Sequence, residues 1–312
     1  MISLRYHVVS ITAVFLALTV GVLLGASGLS DRVLSAVSAR ADDLGAQVQT
    51  LTAERDALAA AQRASDEFAQ RVGPAAVRGL LQGSTVTLVT SGADPADRDA
   101  VMALVKQSGA VLGGEVALTP AVGDPARADQ LRELTSELLP SGAELPAASD
   151  TGSLVAGLLS GVLLAPGGRQ QITPGEADAV LGGLAAAGFV APGQRPRPGD
   201  AVLVLTGGAL PGIDGGDAAA VIARLAAQLD RTGSRAGGGT VLAGHTGSAD
   251  ATGSVGVARA DPAITDGVST VDDVHTGSGQ VSTVLALREQ LDGRVGQYGT
   301  AATAADGSAP AA

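Results

Sequence analysis

Apolar residues dominate the start of the chain. Residues 6–30 contain no Asp, Glu, Lys or Arg, and residues 8–29 (VVSITAVFLALTVGVLLGASGL) are apolar or small almost throughout. A helix rises ~1.5 Å per residue, so this run is long enough to cross a hydrocarbon core ~30 Å thick. The pattern predicts a short tip and a transmembrane anchor over residues 1–30. A cleaved signal peptide is the alternative, because residues 26–28 are small, but the run exceeds the ~7–15 apolar residues typical of such peptides.

The charges that flank the anchor predict its orientation. Arg5 precedes the apolar run and Asp31 follows it. Because basic residues are retained on the cytoplasmic side, we expect the N-terminus in the cytoplasm and the chain beyond Asp31 outside it. The sequence therefore predicts a single-pass membrane protein with an extracytoplasmic domain.

A heptad pattern follows the anchor, and we predict a coiled-coil stalk over residues 31–72. So narrow an apolar stripe favours a helical partner, and Gly21 and Gly25 form a small-xxx-small pair that favours helix association in the anchor. We therefore expect a parallel homodimer, with a single helix packed on its own domain as the alternative. The pattern is interrupted at Arg55. The stripe consists of Leu34, Val37, Ala41, Leu44, Val48, Leu51 and Leu58.

Strand-like and helix-like segments alternate beyond the stalk. The predicted strands cover residues 84–90, 111–118, 201–206, 240–243 and 268–271. The predicted helices cover residues 94–107, 124–139, 153–164, 174–187, 217–229 and 280–291. Strands separated by helices indicate an α/β domain with a mostly parallel, helix-covered sheet, which we assign to residues 73–299. Residues 300–312, rich in Ala, Gly, Ser and Pro, are predicted to be a disordered tail.

Composition and charge limit which residues can form the core and which partners the chain can bind. Hydrophobic residues make up 46% of the chain but aromatic residues only 2%, so the core must consist of Val, Leu, Ile and Ala. Such side chains pack well in parallel sheets covered by helices. The absence of cysteine excludes disulfides and thiolate chemistry. The formal net charge of -11 repels nucleic acid, so we expect no nucleic-acid partner.

The usual motifs for catalysis and nucleotide binding are missing from the sequence. It has no Gly-Lys dipeptide for a Walker A loop, no GxGxxG after a strand and no GxSxG nucleophile elbow. Asp94, Asp97 and Asp99 cluster at a predicted helix start, where capping and the helix dipole account for them. We expect neither an enzymatic activity nor a bound cofactor.

Four polar residues are better placed to hold a ligand. Asp272, Asp273 and His275 follow one predicted strand, and His245 follows another. The carboxyl ends of parallel strands meet at one edge of the sheet, where open α/β folds bind their ligands. Imidazole and carboxylate suit Cu(II), whereas Cu(I) prefers thiolate and thioether ligands. These four residues are the metal-ligand candidates if the fold brings them together, and helix capping with a solvated turn is the alternative explanation.

Several segments, in order from Met1 to about Gly299, carry a resemblance to a known family: the opening MISLRYHVVSITAVFLALTVGVLLG, the stalk, LTGGALP (205–211), STVDDV (269–274) and GQYG (296–299). Together they resemble the MctB family of actinobacterial copper transporters. The resemblance implies a role in copper efflux or tolerance, described for the family as a pore in the mycobacterial outer membrane. Copper would then be a transported ion and not a cofactor. Corynebacterial proteins of this type resemble partners of a cell-separation factor that controls peptidoglycan hydrolysis.

Two functional hypotheses follow. The resemblance favours a copper-efflux component of the cell envelope, held in the inner membrane or, by family resemblance, in the outer one. The architecture favours a non-catalytic, membrane-anchored scaffold that presents its α/β domain to a cell-division or peptidoglycan-hydrolase regulator. A single helix cannot line an aqueous pathway by itself, so direct conduction through the anchor rests on the resemblance alone.

Overall fold

The computed structural model describes residues 4–26, 29–165, 170–235 and 237–310. The chain divides into two compact units, Met1–Ala64 and Ser65–Ala312. The division falls inside the second helix of the chain.

An apolar helix opens the first unit. Helix α1 covers Leu4–Ala26, and its segment Leu4–Gly25 has a mean hydropathy of 2.5 and is long enough to span a membrane. Thr12 donates its hydroxyl to the carbonyl of Val8 over 2.8 Å, so this polar group is satisfied within the helix, as a lipid surrounding requires. The apolar helix expected over residues 8–29 is confirmed and begins four residues earlier. Residues 27 and 28 lie outside the described part of the chain.

Helix α2, Leu29–Ala76, contains the predicted stalk. Between residues 34 and 64 the apolar stripe of this helix is exposed in the described part of the chain. The helix is therefore present as expected, while its pairing with a second copy stays a prediction. The large stripe residues, all more than half exposed, are Leu34, Val37, Leu44, Val48, Leu51 and Leu58.

The second unit is built on six parallel strands in the order β2-β1-β3-β4-β5-β6. All six residues of AVLVLT in β3 are buried, because a parallel sheet covered on both faces has no polar side. The strands are β1 (Thr85–Ser91), β2 (Val111–Leu118), β3 (Ala201–Thr206), β4 (Gly239–Gly244), β5 (Ser269–Val271) and β6 (Gln297–Tyr298).

Helices cover both faces of this sheet. Val202 and Val204 of β3 join the cluster that contains α5 and α7, whereas Leu203 and Leu205 join the cluster that contains α3 and α10. Successive side chains of a strand point to opposite faces of the sheet, so the two apolar clusters lie on opposite faces. The predicted α/β class is confirmed. The helices are α3 (Pro95–Gln107), α4 (Ala128–Glu137), α5 (Thr151–Leu163), α6 (Pro174–Ala186), α7 (Gly215–Ser234), α8 (Ser254–Arg259), α9 (Pro262–Thr265) and α10 (Gly277–Leu291).

The α/β unit begins earlier than the predicted boundary at residue 73. Oδ1 of Asp66 accepts a hydrogen bond from the backbone N–H of Gly277 over 2.9 Å, at the start of α10. Val77 and Leu81 are fully buried in the same cluster as α10. The last turns of α2 therefore pack against α10 and belong to the α/β unit. The heptad pattern has ended there, and the residues that follow it contact α10 instead.

Helix α4 is shorter than the helix predicted over residues 124–139. The side chain of Asp124 accepts from the backbone N–H of Ala126 over 2.9 Å and caps a separate short turn, Pro125–Arg127. The α-helix begins only at Ala128.

The segment after Thr300 differs from the predicted disordered tail. The backbone N–H of Ala305 donates to Gln297 O over 2.9 Å, and that of Gly299 donates to Asp306 O over 3.1 Å. The segment thus covers the outer side of β6, which would otherwise expose unpaired backbone groups at the sheet edge. Composition does not detect such pairing because it depends on a neighbouring strand. Residues 311 and 312 lie outside the described range.

Candidate functional site

Loops that carry the two histidines of the α/β unit meet at the carboxyl edge of the sheet. His245 follows β4 directly, and its backbone N–H donates to Thr206 O at the end of β3 over 3.3 Å. Val274, next to His275, donates its N–H to Gly244 O over 3.2 Å. These bonds between neighbouring strand ends bring His245 and His275 to the same place, as the parallel topology predicts.

Close packing of the loops requires glycine at the end of β3. A Cβ on Gly207 would lie 2.5 Å from the carbonyl oxygen of Gly92, and one on Gly208 would lie 2.5 Å from that of Thr246. The LTGGALP segment therefore passes between the loop after β1 and the histidine loop after β4. Gly207 and Gly208 allow the backbones to approach this closely because they have no side chain.

His245 is held by a carboxylate from a distant helix. Its Nδ1 lies 2.6 Å from Oδ2 of Asp97, in the first turn of α3. The Asp97 side chain is only 10% exposed, whereas the His245 ring is 39% exposed. An ionised carboxylate accepts hydrogen bonds only, so Nδ1 of His245 carries the hydrogen and donates it. In the tautomer that carries its hydrogen on Nδ1, Nε2 keeps a lone pair.

His275 lies beside the His245 ring. The ring centroids are 4.8 Å apart and the planes are tilted by 52°. The hydroxyl of Thr246 lies 3.0 Å from Nε2 and 3.2 Å from Nδ1 of His275. Burial, and next the positive charge that His245 carries when it is protonated, hold the pKa of His275 below its usual 6.5, against the opposing effect of nearby carboxylates. The ring is therefore neutral at neutral pH, the state in which imidazole binds metals.

Asp272 is occupied by a structural network. Its Oδ2 accepts from Nη1 of Arg259 over 2.5 Å, in an ion pair whose side chains are 3% and 2% exposed respectively. Its Oδ1 accepts from the backbone N–H groups of Thr300 and Ala301 over 2.8 and 3.2 Å. Arg259 also donates from Nη2 to Tyr298 O over 2.7 Å. Asp272 thus joins α8 to the C-terminal segment and does not face the two histidines with free lone pairs.

Asp273 is buried beside this network. Its side chain is 1% exposed, and within the described residues its Oδ1 has no hydrogen-bond partner. Its Oδ2 lies 3.4 Å from the hydroxyl of Thr276, the N-cap residue of α10. Burial, and next the charge of Asp272, raise the pKa of Asp273 to about 6. Asp273 therefore contacts the N-cap residue of α10 and does not itself cap the helix.

The structure brings two of the four metal-ligand candidates together, His245 and His275, and adds Asp97. Throughout the described ranges, no group of three or more His, Asp or Glu residues is arranged to hold a metal ion. A metal role for the four candidates stays a prediction.

Sequence reasoning assigned Asp97 to helix capping along with its neighbours. Asp94 does cap α3, because its Oδ1 accepts from Ala96 N over 2.7 Å. Asp97 instead points to His245. A signal was present in the sequence, since the first turn of a helix that follows β1 lies at the same carboxyl edge as the loops after β4 and β5.

A match to a protein family extends over almost the whole chain. Residues 1–308 match the family described as "Copper transport outer membrane protein, MctB". The match therefore includes the apolar helix, the stalk, the α/β unit and most of the C-terminal segment.

Similar proteins of known name come from mycobacteria. The chain is 39% identical over 308 residues to proteins named copper transporter MctB from Mycobacterium tuberculosis (strain ATCC 25618 / H37Rv) and Mycobacterium bovis, with 96% of each chain covered. It is 36% identical over 310 residues to the copper transporter MctB of Mycobacterium leprae, again with 96% of each chain covered.

Proposed function

Because this chain belongs to the MctB family of copper transport proteins, we propose that it acts in copper efflux or copper tolerance at the cell envelope. The similarity to copper transporters over 96% of the chain carries this proposal. The similarity extends over both the anchor and the α/β unit, so we assign the proposed role to the whole chain and not to one of its domains.

The proposed topology places the α/β unit outside the cytoplasm. Arg5 lies before the apolar segment and Asp31 after it, which favours a cytoplasmic N-terminus by the positive-inside rule. Residues 65–312 then meet copper on the outer side of the membrane that holds α1. The acidic character of the chain, with a formal net charge of -11, attracts cations to this side.

The proposed assembly is a parallel homodimer through the stalk. Leu44 and Leu51 are 54% and 64% exposed in the single chain, and both occupy d positions of the heptad stripe. Leaving such a row of leucines in water is unfavourable by about 1.5–3 kcal/mol per side chain, which a second stalk helix would recover. Gly21 and Gly25 form a small-xxx-small pair in the anchor, and such pairs allow two helices to approach closely.

A deletion strain of the source bacterium tests the role in copper handling. We expect it to be more sensitive to copper than the parent, to accumulate more copper, and to be rescued by the full chain. Sensitivity to zinc and nickel serves as the control, since a general envelope defect would raise all three.

Rescue variants separate the parts of the architecture. A chain without residues 4–25 tests the anchor, and one with Leu44→Asp/Leu51→Asp tests the stalk. Normal copper tolerance and normal copper content in the deletion strain would contradict the proposal. A septation defect without a copper phenotype would favour the scaffold hypothesis instead.

A further inference from the structure

We propose that His245 and His275 form an exchangeable Cu(II) site at the carboxyl edge of the sheet, with Asp97 as the positioning residue for His245. The inference rests on the proposed copper role and names the place where the ion is held. Each histidine supplies one imidazole nitrogen, and water completes the coordination.

The first argument is the hydrogen bond between His245 and Asp97. Donation from Nδ1 over 2.6 Å fixes the tautomer and the ring orientation, so Nε2 keeps its lone pair for a metal. A carboxylate that holds the second ring nitrogen of a ligating histidine is the usual arrangement at metal sites, where it raises the basicity of the ligand. Asp97 is nearly buried, so its own orientation is restricted as well.

The second argument is the distance between the two rings. Metal–imidazole bonds are about 2.0–2.1 Å long, so a single ion lies within reach of two rings whose centroids are 4.8 Å apart after small side-chain rotations. Thr246, whose hydroxyl lies 3.0 Å from Nε2 of His275, is an exposed residue, so water can replace this hydrogen bond when the ring rotates.

The third argument is electrostatic. The carboxylate of Asp97 lies 2.6 Å from the His245 ring, and the charges of Asp66 and Asp272 also act at this edge of the sheet. Their negative potential stabilises a divalent cation between the rings.

The fourth argument is the kind of ion that the ligands select. Two imidazoles without thiolate or thioether ligands suit Cu(II), which also binds nitrogen sites more tightly than the other divalent first-row metals. His245 is 39% exposed and His275 is also exposed, so an ion can reach the two rings from solvent without movement of the backbone. Two protein ligands and open positions are typical of a site for a cargo ion, because a closed four-ligand site would retain it.

Titration of the untagged full chain in detergent micelles with CuCl₂ tests the site, with equilibrium dialysis for stoichiometry and electron paramagnetic resonance for the ligands. We expect one saturable Cu(II) per chain with hyperfine structure from two nitrogens. His245→Ala and His275→Ala should each abolish this spectrum, and His7→Ala, which removes the third histidine of the chain, should leave it unchanged. Asp97→Asn keeps both ligands and should weaken binding about 10- to 100-fold, as loss of a carboxylate behind a ligating histidine does elsewhere.

Two results would overturn the site. One is non-saturating uptake by the wild-type chain, and the other is saturable binding that the double variant His245→Ala/His275→Ala retains. Thermal unfolding of each variant controls for misfolding, and His275→Ala is the decisive variant because the side chain is exposed. If the deletion strain is copper-sensitive but the histidine variants rescue it and the chain binds no Cu(II), this inference fails and the proposed function stands. If the strain has no copper phenotype, the proposed function fails whatever the titration shows.

Discussion

Arg259 and Asp272 form a buried ion pair, with Nη1 and Oδ2 2.5 Å apart and side chains that are 2% and 3% exposed. The pair connects the end of α8 to the loop after β5. Because Asp272 also accepts from the backbone of Thr300 and Ala301, the same pair orders the chain beyond β6. The STVDDV and GQYG segments of the sequence are thereby parts of one network.

Replacing Arg259 with methionine should destabilise the α/β unit strongly. The change leaves the charge of Asp272 buried without its partner, which costs about 3–5 kcal/mol in comparable pairs. Denaturant unfolding followed by far-UV circular dichroism measures the free energy of unfolding. Amide hydrogen exchange should also accelerate at residues 299–306, because Arg259 no longer orients Asp272 and no longer donates to Tyr298 O and the Thr303 hydroxyl.

An exposed ion pair provides the matched control. Nη1 of Arg195 lies 2.6 Å from Oδ2 of Asp178, but the two side chains are 38% and 60% exposed. Arg195→Met should therefore lower the free energy of unfolding by no more than about 1 kcal/mol. Equal losses for the two variants would show that burial of the Arg259 pair does not matter to stability.

Asp230→Asn should stabilise the protein above pH 6 and have little effect near pH 4. Burial raises the pKa of Asp230 from 3.8 to about 6, although its Oδ1 accepts from Thr240 N over 3.1 Å. The folded state therefore binds the proton more tightly than the unfolded state, and stability falls as pH rises from about 4 to about 6. Asparagine keeps the acceptor and removes the charge, for a gain of up to about 3 kcal/mol.

Unfolding experiments on both proteins across this pH range test the prediction. Asp217 lies exposed on the same helix and provides the control substitution. A gain of similar size and pH dependence in Asp217→Asn would argue against burial as the cause.

Leu44→Asp/Leu51→Asp should convert a dimeric chain to a monomer. Both positions lie on the apolar stripe, where a buried charge has no partner across the seam. Ala46→Asp/Ala53→Asp places the same charges on the opposite side of the helix and should leave the dimer intact. Sedimentation in detergent measures the mass of each. A wild-type chain that sediments as a monomer at tens of micromolar would show that the stalk does not pair.

A reporter that is active only outside the cytoplasm, fused after Leu58, should be active and membrane-bound. The orientation follows from Arg5 before the apolar helix and Asp31 after it. The same fusion without residues 4–25 is the control and should be inactive. Recovery of a soluble product that begins near Ser27 would instead identify the helix as a cleaved signal peptide.

Much of the fold could be predicted from local patterns. The strands Val111–Leu118 and Ala201–Thr206 have the predicted bounds, and α6 ends one residue earlier than expected. AVLVLT is an almost uninterrupted apolar run, VLGGEVAL has apolar residues at both ends, and α6 begins with a proline. The prediction failed to anticipate β6, which is only two residues long and exists because β5 lies beside it.

The candidate site could be predicted in part. The positions of His245 and His275 after two parallel strands were sufficient to place them at one edge. Asp272 was expected to join them, but its partner Arg259 belongs to α8, a helix that the hydrophobic pattern did not reveal. A buried cation beside a carboxylate cannot be inferred from the carboxylate's own neighbourhood in the sequence.

The sequence by itself determined the apolar helix, the heptad stripe and the alternation of strands and helices, because each depends on the spacing of apolar residues within a few turns or one strand. Only the tertiary structure decided which polar residues meet. Asp97 contacts His245 across a separation of 148 residues, while Asp272 turns to Arg259 and the C-terminal segment. Such contacts depend on strand order and on the packing of loops at the sheet edge, and no periodicity along the chain encodes them.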